Sequence, residues 1–212
     1  MLSSFTRRVI CMTVEIKGLE DMEVLTHKGY SIPRWDFVEP VHGEGEKFVM
    51  FWRSRPNPEG KLGEECLSPW FERKFESDGV TYSLVEQYIV AQKAMLFGDR
   101  VNLRKIKVNT DPKDIRIISM RIQGVDNAVW QEFSHSISCT GNFLKFSQHP
   151  DMKAYLLSTG DATLAEASPY DRTGGIGLDR LDEDATHPER WLGRNLFGYA
   201  LMHVREKLRS LE

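Results

Sequence analysis

The sequence predicts an α+β fold that is mainly helical with a small β component, folded as one compact domain. Helical patterns dominate from residue 82 onwards, whereas the β-branched and aromatic run Lys47–Trp52 is the clearest strand before it. The chain has 212 residues, 41% of them hydrophobic and 28% charged, and such a chain buries a substantial core. We place a boundary at residue 46, with an accessory segment over residues 1–45 and the main domain over residues 46–212.

The main predicted element is a helix over Tyr82–Gly98. This stretch contains no proline and no internal glycine, is rich in alanine, leucine, methionine and glutamine, and ends on a glycine that stops helices. Ser83 is predicted to be its N-cap, and Glu86, three residues further on, completes a capping box.

The other elements follow from local signals along the chain. β-rich runs and turn residues predict short strands at Thr13–Ile16 and Leu164–Ser168, a turn at Asp78–Gly79 and a glycine-rich loop at Gly174–Asp179. Apolar periodicity and start signals predict the helices: a continuation over Asp99–Val108, a helix start at Thr110–Pro112, and a segment over Asp126–Gln148 interrupted at Gly141. A short helix over Asp151–Leu157 and a terminal helix over Arg194–Leu211 complete the set.

Glu86 and Lys93 are the charged residues inside the central predicted helix. They are seven residues apart, so they project within about 20° of each other on one face. Ile89, Val90 and Leu96 flank them, which sets a carboxylate and an amine in an apolar stripe. Buried charges are costly and are usually kept when they are paired or functional. A structural interpretation stays open, in which Glu86 only caps the helix and Lys93 extends past its neighbours to water.

The composition and the residue spacings exclude several kinds of binding partner and catalytic site. A net charge of -3 gives no general basic coating for nucleic acid, although a local basic groove is compatible with it. The three cysteines lack CxxC spacing and the six histidines are scattered, so we expect no disulfide framework, no metal centre and no cofactor, in an intracellular setting that is cytoplasmic or nuclear. No apolar run reaches the roughly 18 residues of a membrane helix, and phosphate-loop and nucleophile-elbow spacings are absent from the sequence. Carboxylate and amine chemistry with aromatic walls remains, which suits a sugar–base substrate.

The most specific signal is a set of three blocks in register, SLVEQYIVAQKAMLFGD (83–99), GNFLKFSQHPDMKAYLLSTGDATLAEASPYDRTGGIGL (141–178) and WLGRNLFGYALMHVR (191–205). They resemble the signature blocks of the NADAR superfamily, named for NAD and ADP-ribose and also called YbiA-like proteins. FW at 51–52 and LSPWF at 67–71 are similar to its amino-terminal blocks. The resemblance covers roughly residues 48–208 in the family's order.

The resemblance implies a mainly helical α+β catalytic domain that cleaves N-glycosidic bonds between a ribose carbon and a base or amine. One branch of the family removes ADP-ribose from guanine, and we favour ADP-ribosylated guanine in DNA or RNA as the partner. Another branch hydrolyses ribosylamino-pyrimidine phosphates of the riboflavin pathway, which are small ribosylated bases. A binding module for ADP-ribose or NAD without catalysis is the alternative from a different class. The oligomeric state stays open.

The resemblance also assigns roles to residues. Glu86 and Lys93 match the family's E-[HQ]-Y-x-x-A-Q-K block, which implies that Lys93 forms an imine with the opened sugar and that Glu86 shuttles protons. A desolvated amine has a lowered pKa, which suits a nucleophile. A simpler scheme makes Glu86 the base for water and Lys93 an electrostatic partner. Asp171 matches the Asp of S-P-x-D-x-x-W-G and is expected to hydrogen-bond ribose hydroxyls or stabilise positive charge at the anomeric carbon.

The sequence departs from that block because Gly174 replaces its tryptophan. Trp52, Trp70 or Trp130 are therefore expected to supply base stacking, with core packing as the alternative for Trp130. Phe51 lies in the first of the matching blocks. Pro69 stands where many relatives have Asn or Gln, so Ser68 is expected to keep the polar role of its block.

Further substrate-binding positions come from the later blocks. Asn142, Lys145, Arg194 and Asn195 are predicted to meet phosphates or ribose, since lysine and arginine make charge-assisted bonds to phosphate oxygens. The alternatives are helix capping for the two asparagines and a solvated surface for the two cations.

Overall fold

The computed structural model describes residues 16–43, 45–54 and 61–212. Over these ranges it confirms the mainly helical α+β fold. The helices are α1 (Val85–Leu96), α2 (Arg100–Lys107), α3 (Pro112–Met120), α4 (Asn127–Gln148), α5 (Pro150–Ser158) and α6 (Leu196–Ser210). The strands are β1 (Val24–His27), β2 (Tyr30–Pro33), β3 (Phe48–Phe51), β4 (Phe75–Ser77), β5 (Val80–Tyr82) and β6 (Thr163–Glu166). Short 3₁₀ helices span Glu64–Leu67, Glu183–Thr186 and Pro188–Arg190.

The described strands pair two by two. β1 with β2 and β4 with β5 are antiparallel hairpins, and the predicted turn between β4 and β5 has positive φ at both Asp78 (52°) and Gly79 (71°). β3 and β6 are parallel, with Phe51 opposite Glu166. Since parallel strands end at the same edge, the segments that follow β3 and β6 begin side by side.

The start of α1 differs from the prediction. The helix begins at Val85 with Leu84 as its N-cap and without a side-chain cap. Ser83 instead donates its backbone N–H to Gln87 Oε1 at 2.8 Å, and the N–H of Glu86 is satisfied by the Pro69 carbonyl at 3.2 Å. The predicted capping box at Ser83 and Glu86 was therefore wrong, because a neighbouring loop caps this end of the helix.

The predicted interruption of the long helix at Gly141 was also wrong. α4 runs without a break from Asn127 to Gln148. A Cβ added at Gly141 would lie 2.6 Å from Cδ1 of Tyr88. The missing side chain lets α1 and α4 approach closely, and this packing compensates for the low helix propensity of glycine.

The remaining helices follow the sequence signals closely. Asp111 caps α3 by accepting the N–H of Lys113 at 2.7 Å, with Pro112 at the first helical position. The terminal helix begins at Leu196 and not at Arg194, because Asn195 takes a left-handed conformation with φ 51°. Residues 13–15 of the first predicted strand lie outside the described residues.

Residues 16–43 pack on the main body. Trp35 donates its backbone N–H to Ser136 Oγ at 3.0 Å and its indole N–H to Thr140 Oγ1 at 3.1 Å, both on α4. Tyr30 and Ile32 join the same hydrophobic core. The domain boundary at residue 46 stays a prediction. No helix in the described ranges has both the length and the apolar content to cross a bilayer.

Candidate active site

A cavity of about 490 Å³ lies between α1, α3, α4 and the segments that follow β3 and β6. We call it the acid cleft. Its described lining combines three carboxylates, one arginine and several large aromatic rings: Glu86, Glu166, Asp171, Arg116, Trp52, Trp70, Trp130 and Tyr170.

The three carboxylates come from separate elements. Glu86 is in the first turn of α1, Glu166 ends β6, and Asp171 lies in the loop after β6. Trp52 follows the parallel strand β3 and therefore reaches the same edge. The acid cleft thus forms at the carboxyl end of the parallel pair, where loops provide side chains on a rigid support.

Burial and mutual repulsion raise the pKa values of two of these acids, Glu86 and Glu166. Burial raises the pKa of Glu86 to about 7, and the negative charge of Asp171 adds to the rise, while Arg116 and Lys93 oppose it. Burial likewise raises the pKa of Glu166 to about 8, with Asp171 and then Glu86 contributing. Carboxyl groups this close titrate as a coupled set. Near neutral pH the cleft therefore holds a proton donor beside a proton acceptor.

Glu166 is held by Asn195. The Asn195 side chain accepts the N–H of Glu166 at 3.0 Å and donates to the Leu164 carbonyl at 2.9 Å. Asn195 is completely buried, and a Cβ at Gly198 would lie 2.1 Å from the Leu164 carbonyl oxygen. This close approach fixes α6 against β6, so Asn195 holds Glu166 in position at the edge of the acid cleft.

Asp171 organises its own loop. Its Oδ1 accepts the N–H groups of Thr173 at 2.7 Å and Gly174 at 2.8 Å. A Cβ at Gly174 would lie 3.0 Å from Asp171 Oδ2 and 3.2 Å from Glu166 Oε2. The glycine that replaces the family tryptophan therefore sits directly against two of the three carboxylates.

Lys93 approaches the acid cleft through Trp130. Its Nζ lies 4.8 Å from the centre of the Trp130 ring, a cation–π arrangement. Desolvation lowers the pKa of this half-buried amine, and the charge of Glu86 opposes the change. Lys93 and Glu86 form no ion pair within 4.0 Å in the described structure. The Trp130 indole thus lies between the Lys93 amine and the acid cleft.

Aromatic rings form the remaining walls. Trp52 packs on Tyr170 with ring centres 5.9 Å apart, and the Arg53 guanidinium lies 4.6 Å above the Trp52 ring. Arg116 lies 5.5 Å from the Trp70 ring. All three tryptophans proposed to replace the family indole therefore reach the cleft.

Several predicted substrate-binding residues lie elsewhere. Phe51 is in the core against Phe197, at 6.3 Å between ring centres. Ser68 is buried and accepts the N–H of Trp70 at 3.3 Å. Asn142 is buried and donates to the Ser138 carbonyl at 2.9 Å. These three residues support the walls instead of lining them.

The two predicted phosphate-binding cations are also placed apart from the cleft. Lys145 is completely buried, donates to the Phe71 carbonyl, and has its pKa lowered to about 7 by burial. Arg194 is exposed and borders a neighbouring groove with His135 and Leu196.

Sequence reasoning missed Glu166, Arg116 and Tyr170. Glu166 had a usable signal, because it is the only charged residue in the run 162–167, whose other members are alanine, leucine and one threonine, and a charged residue in a buried strand needs a reason. Arg116 gave no such signal, because it is one of two cations, Lys113 and Arg116, on the short helix α3. Its position under the cleft depends on how α3 packs against α1.

A second cavity of about 340 Å³ lies beside β2 and the other face of α1. Its described lining includes a single carboxylate, Asp78, and none of the predicted site residues. The acid cleft is therefore the better candidate active site.

The fold and the cleft define an α+β protein with a carboxylate-rich, aromatic-walled pocket. The family model of the NADAR domain matches residues 50–209, and the chain belongs to this family. An N-glycosidase of Acanthamoeba polyphaga mimivirus is 35% identical over 169 residues, which cover 77% of this chain and 98% of that protein. The N-glycosidase YbiA of Escherichia coli is 29% identical, over 62% of this chain and 73% of that protein. The NMR structure of Escherichia coli YbiA has a TM-score of 0.62 at 24% identity, covers 81% of this chain and 91% of that chain, and supports the fold alone.

Proposed function

We propose that the protein is an N-glycosidase that hydrolyses the bond between a ribose carbon and a base, and that its substrate is ADP-ribose attached to guanine in nucleic acid. The observation that carries the reaction class is the pair Glu86 and Glu166, whose pKa values are raised to about 7 and about 8 in one cleft. A matched donor and acceptor near neutral pH is what general acid–base catalysis requires. The N-glycosidase relatives support the same class.

The carboxyl groups have complementary roles in this reaction. Protonated Glu166 donates its proton to the departing base, which leaves with the electron pair of the C–N bond. The anomeric carbon becomes positively charged, and the Asp171 carboxylate stabilises it. When water attacks directly, ionised Glu86 takes a proton from it, and the transfer of that proton to Glu166 completes the cycle.

Lys93 is the proposed nucleophile. Its neutral amine adds to the anomeric carbon as the base leaves with the proton of Glu166, and Glu86 moves a proton from the new C–N nitrogen to the ring oxygen, so that the ring opens to a protonated imine. Water then adds to the imine and releases the sugar and the neutral amine, and the proton set free in this step restores Glu166. Because Nζ rests over the Trp130 ring, a change of side-chain rotamer must bring it past the indole edge. Borohydride reduction during turnover tests this step: a sugar adduct on Lys93 is expected, whereas turnover without any adduct assigns the attack to water activated by Glu86.

One observation favours the second substrate, a ribosylamino-pyrimidine phosphate. The described lining of the acid cleft contains one arginine, Arg116, and three carboxylates. A single cation suits one phosphate group better than the many phosphates of nucleic acid, which the acids repel.

Parallel assays separate these substrates. Wild-type protein is incubated with an ADP-ribosylated guanine oligonucleotide and with a ribosylamino-pyrimidine phosphate, and released base is measured by mass spectrometry. Release from the oligonucleotide supports the proposal, and release only from the small substrate assigns the second candidate. Glu132→Gln, an exposed glutamate on α4, is the matched control for Glu86→Gln. Tight ADP-ribose binding by calorimetry with no release of base from either substrate would overturn the enzymatic proposal in favour of a binding module.

A further inference from the structure

The contact between α4 and α6 brings one thiol and two imidazoles together. His135 Nε2 lies 3.0 Å from His203 Nδ1 and 3.4 Å from Cys139 Sγ. The three candidate ligand atoms all lie within 4.8 Å of one another. The sequence predicted no metal centre, because its histidines are scattered without metal-ligand spacing and its cysteines lack CxxC spacing. Folding places all three around one point.

The surrounding residues build this site. His135 and Cys139 are four residues apart and therefore lie on the same face of α4. His203 extends from α6, which packs along α4. Cys139 is completely buried, and the Phe37 ring meets the His135 ring edge-on at 5.1 Å between centres. The cluster is thus held by two helices and shielded by an aromatic ring.

A hydrogen bond to the backbone determines which ring nitrogen of His203 keeps a lone pair. Its Nε2 lies 3.2 Å from the Val38 carbonyl oxygen, so Nε2 carries the proton and donates it. Nδ1 then presents a lone pair toward His135 and Cys139. A hydrogen bond from a ligating histidine to a carbonyl is the usual outer support of a metal site. The buried Nδ1 of His135 has no partner in the described structure, so its polar contacts run through Nε2 alone.

We propose that Cys139, His135 and His203 bind Zn²⁺ through Sγ, Nε2 and Nδ1. Zinc takes thiolate at about 2.3 Å and imidazole at about 2.0–2.1 Å, so the ligand atoms of a tetrahedral site are about 3.3–3.6 Å apart. The 3.0 Å and 3.4 Å separations need shifts of a few tenths of an ångström, and Cys139 Sγ and His203 Nδ1, which lie within 4.8 Å of each other, must approach by up to about 1.2 Å. A soft thiolate with two imidazoles selects zinc over magnesium or calcium.

Binding changes the protonation of the ligands. The Cys139 thiol releases its proton to solvent as the Zn–S bond forms, and the proton of His135, which lies on Nε2 facing His203 Nδ1 before the ion binds, moves to Nδ1. No oxidation or reduction occurs. The ion cross-links α4 to α6 next to the acid cleft, since His135 also lines that cleft.

Cobalt(II) tests the ligand set directly. Chelator-treated wild-type protein is titrated with Co²⁺, and the thiolate-to-cobalt charge-transfer band in the near ultraviolet is followed. One equivalent is expected to saturate the band, while Cys139→Ser and His203→Gln abolish it. Cys66→Ser is the matched control, because Cys66 is also completely buried and should leave the band unchanged. An absent band in the wild type, or an unchanged band in Cys139→Ser, would overturn the proposal.

Thermal unfolding provides a second readout that does not depend on folding of the Cys139 variant. Free Zn²⁺ at a hundredfold excess over Kd is expected to raise the Tm of the wild type by about 5–10 °C. Magnesium should have no such effect, and His203→Gln should lose the zinc-dependent shift. An equal shift in His203→Gln would contradict the assigned site.

Discussion

Lys93 and Lys145 are two lysines whose pKa is lowered by burial, and their surroundings differ. Lys145 is enclosed in the core with its amine on the Phe71 carbonyl. Lys93 is half-buried on the Trp130 ring at the edge of a cleft that holds three carboxylates. The larger pKa change belongs to Lys145, yet it is Lys93 that lies near the acid cleft, over the ring of Trp130. A perturbed pKa therefore identifies a reactive group only when the group also faces an accessible cavity.

The largest expected effect is the loss of turnover in Lys93→Ala. Removal of a nucleophile should lower kcat by at least about 10⁴-fold, with little change in the free energy of unfolding. Lys145→Met serves as the matched control and should retain kcat within a few-fold. Steady-state kinetics with denaturant unfolding of each variant would check this contrast. Equal losses of kcat in both variants would remove the distinction between the two lysines.

The second contrast is the pH dependence of stability. The pKa of Lys145 is about 7 in the folded state, below its unfolded value of 10.5. Between these values the unfolded chain binds more protons, so this group makes stability rise with pH by up to about 1.4 kcal/mol per pH unit. Lys145→Met should flatten that rise in urea unfolding measured from pH 7 to pH 10.

Trp130 should have a smaller effect. Trp130→Ala removes an aromatic wall of the acid cleft on which the base is expected to stack, an interaction worth about 1–3 kcal/mol per base. We expect kcat/KM to fall by about 5- to 150-fold, with partial recovery in Trp130→Phe. An unchanged kcat/KM in Trp130→Ala would indicate that the base does not stack on this ring.

The smallest expected effect is at Ser83. Loss of an N-cap side chain usually costs about 1 kcal/mol, but Ser83 does not cap α1. Ser83→Ala should therefore change the free energy of unfolding by less than about 0.5 kcal/mol. A loss of about 1 kcal/mol in urea unfolding would instead indicate that Ser83 caps α1.

Local patterns predicted what local forces decide. The Glu86–Lys93 helix, the turn at Asp78–Gly79 and the helix start at Thr110–Pro112 were all predicted, because their causes lie within a few residues along the chain. The break at Gly141 was predicted wrongly, since the reason for that glycine is the ring of Tyr88 on another helix.

The site was only partly visible for the same reason. Glu166 becomes an acid of the cleft because β6 pairs with β3, and its pKa is raised by burial and then by the charges of Asp171 and Glu86. The cluster of His135, Cys139 and His203 requires the packing of α4 on α6. Contacts between residues so far apart in the sequence depend on the packing of the whole core, and a short stretch of sequence does not reveal them.

The central claim is that Glu166 and Glu86 divide the roles of acid and base, and the pH profile of kcat/KM tests it most directly. The wild type should give a bell with limbs near pH 7 and pH 8, the apparent pKa values of the coupled pair. Glu166→Gln should lower the maximum by about 10²- to 10⁴-fold and remove the alkaline limb. A Glu166→Gln profile with the wild-type height and the same alkaline limb would contradict the account.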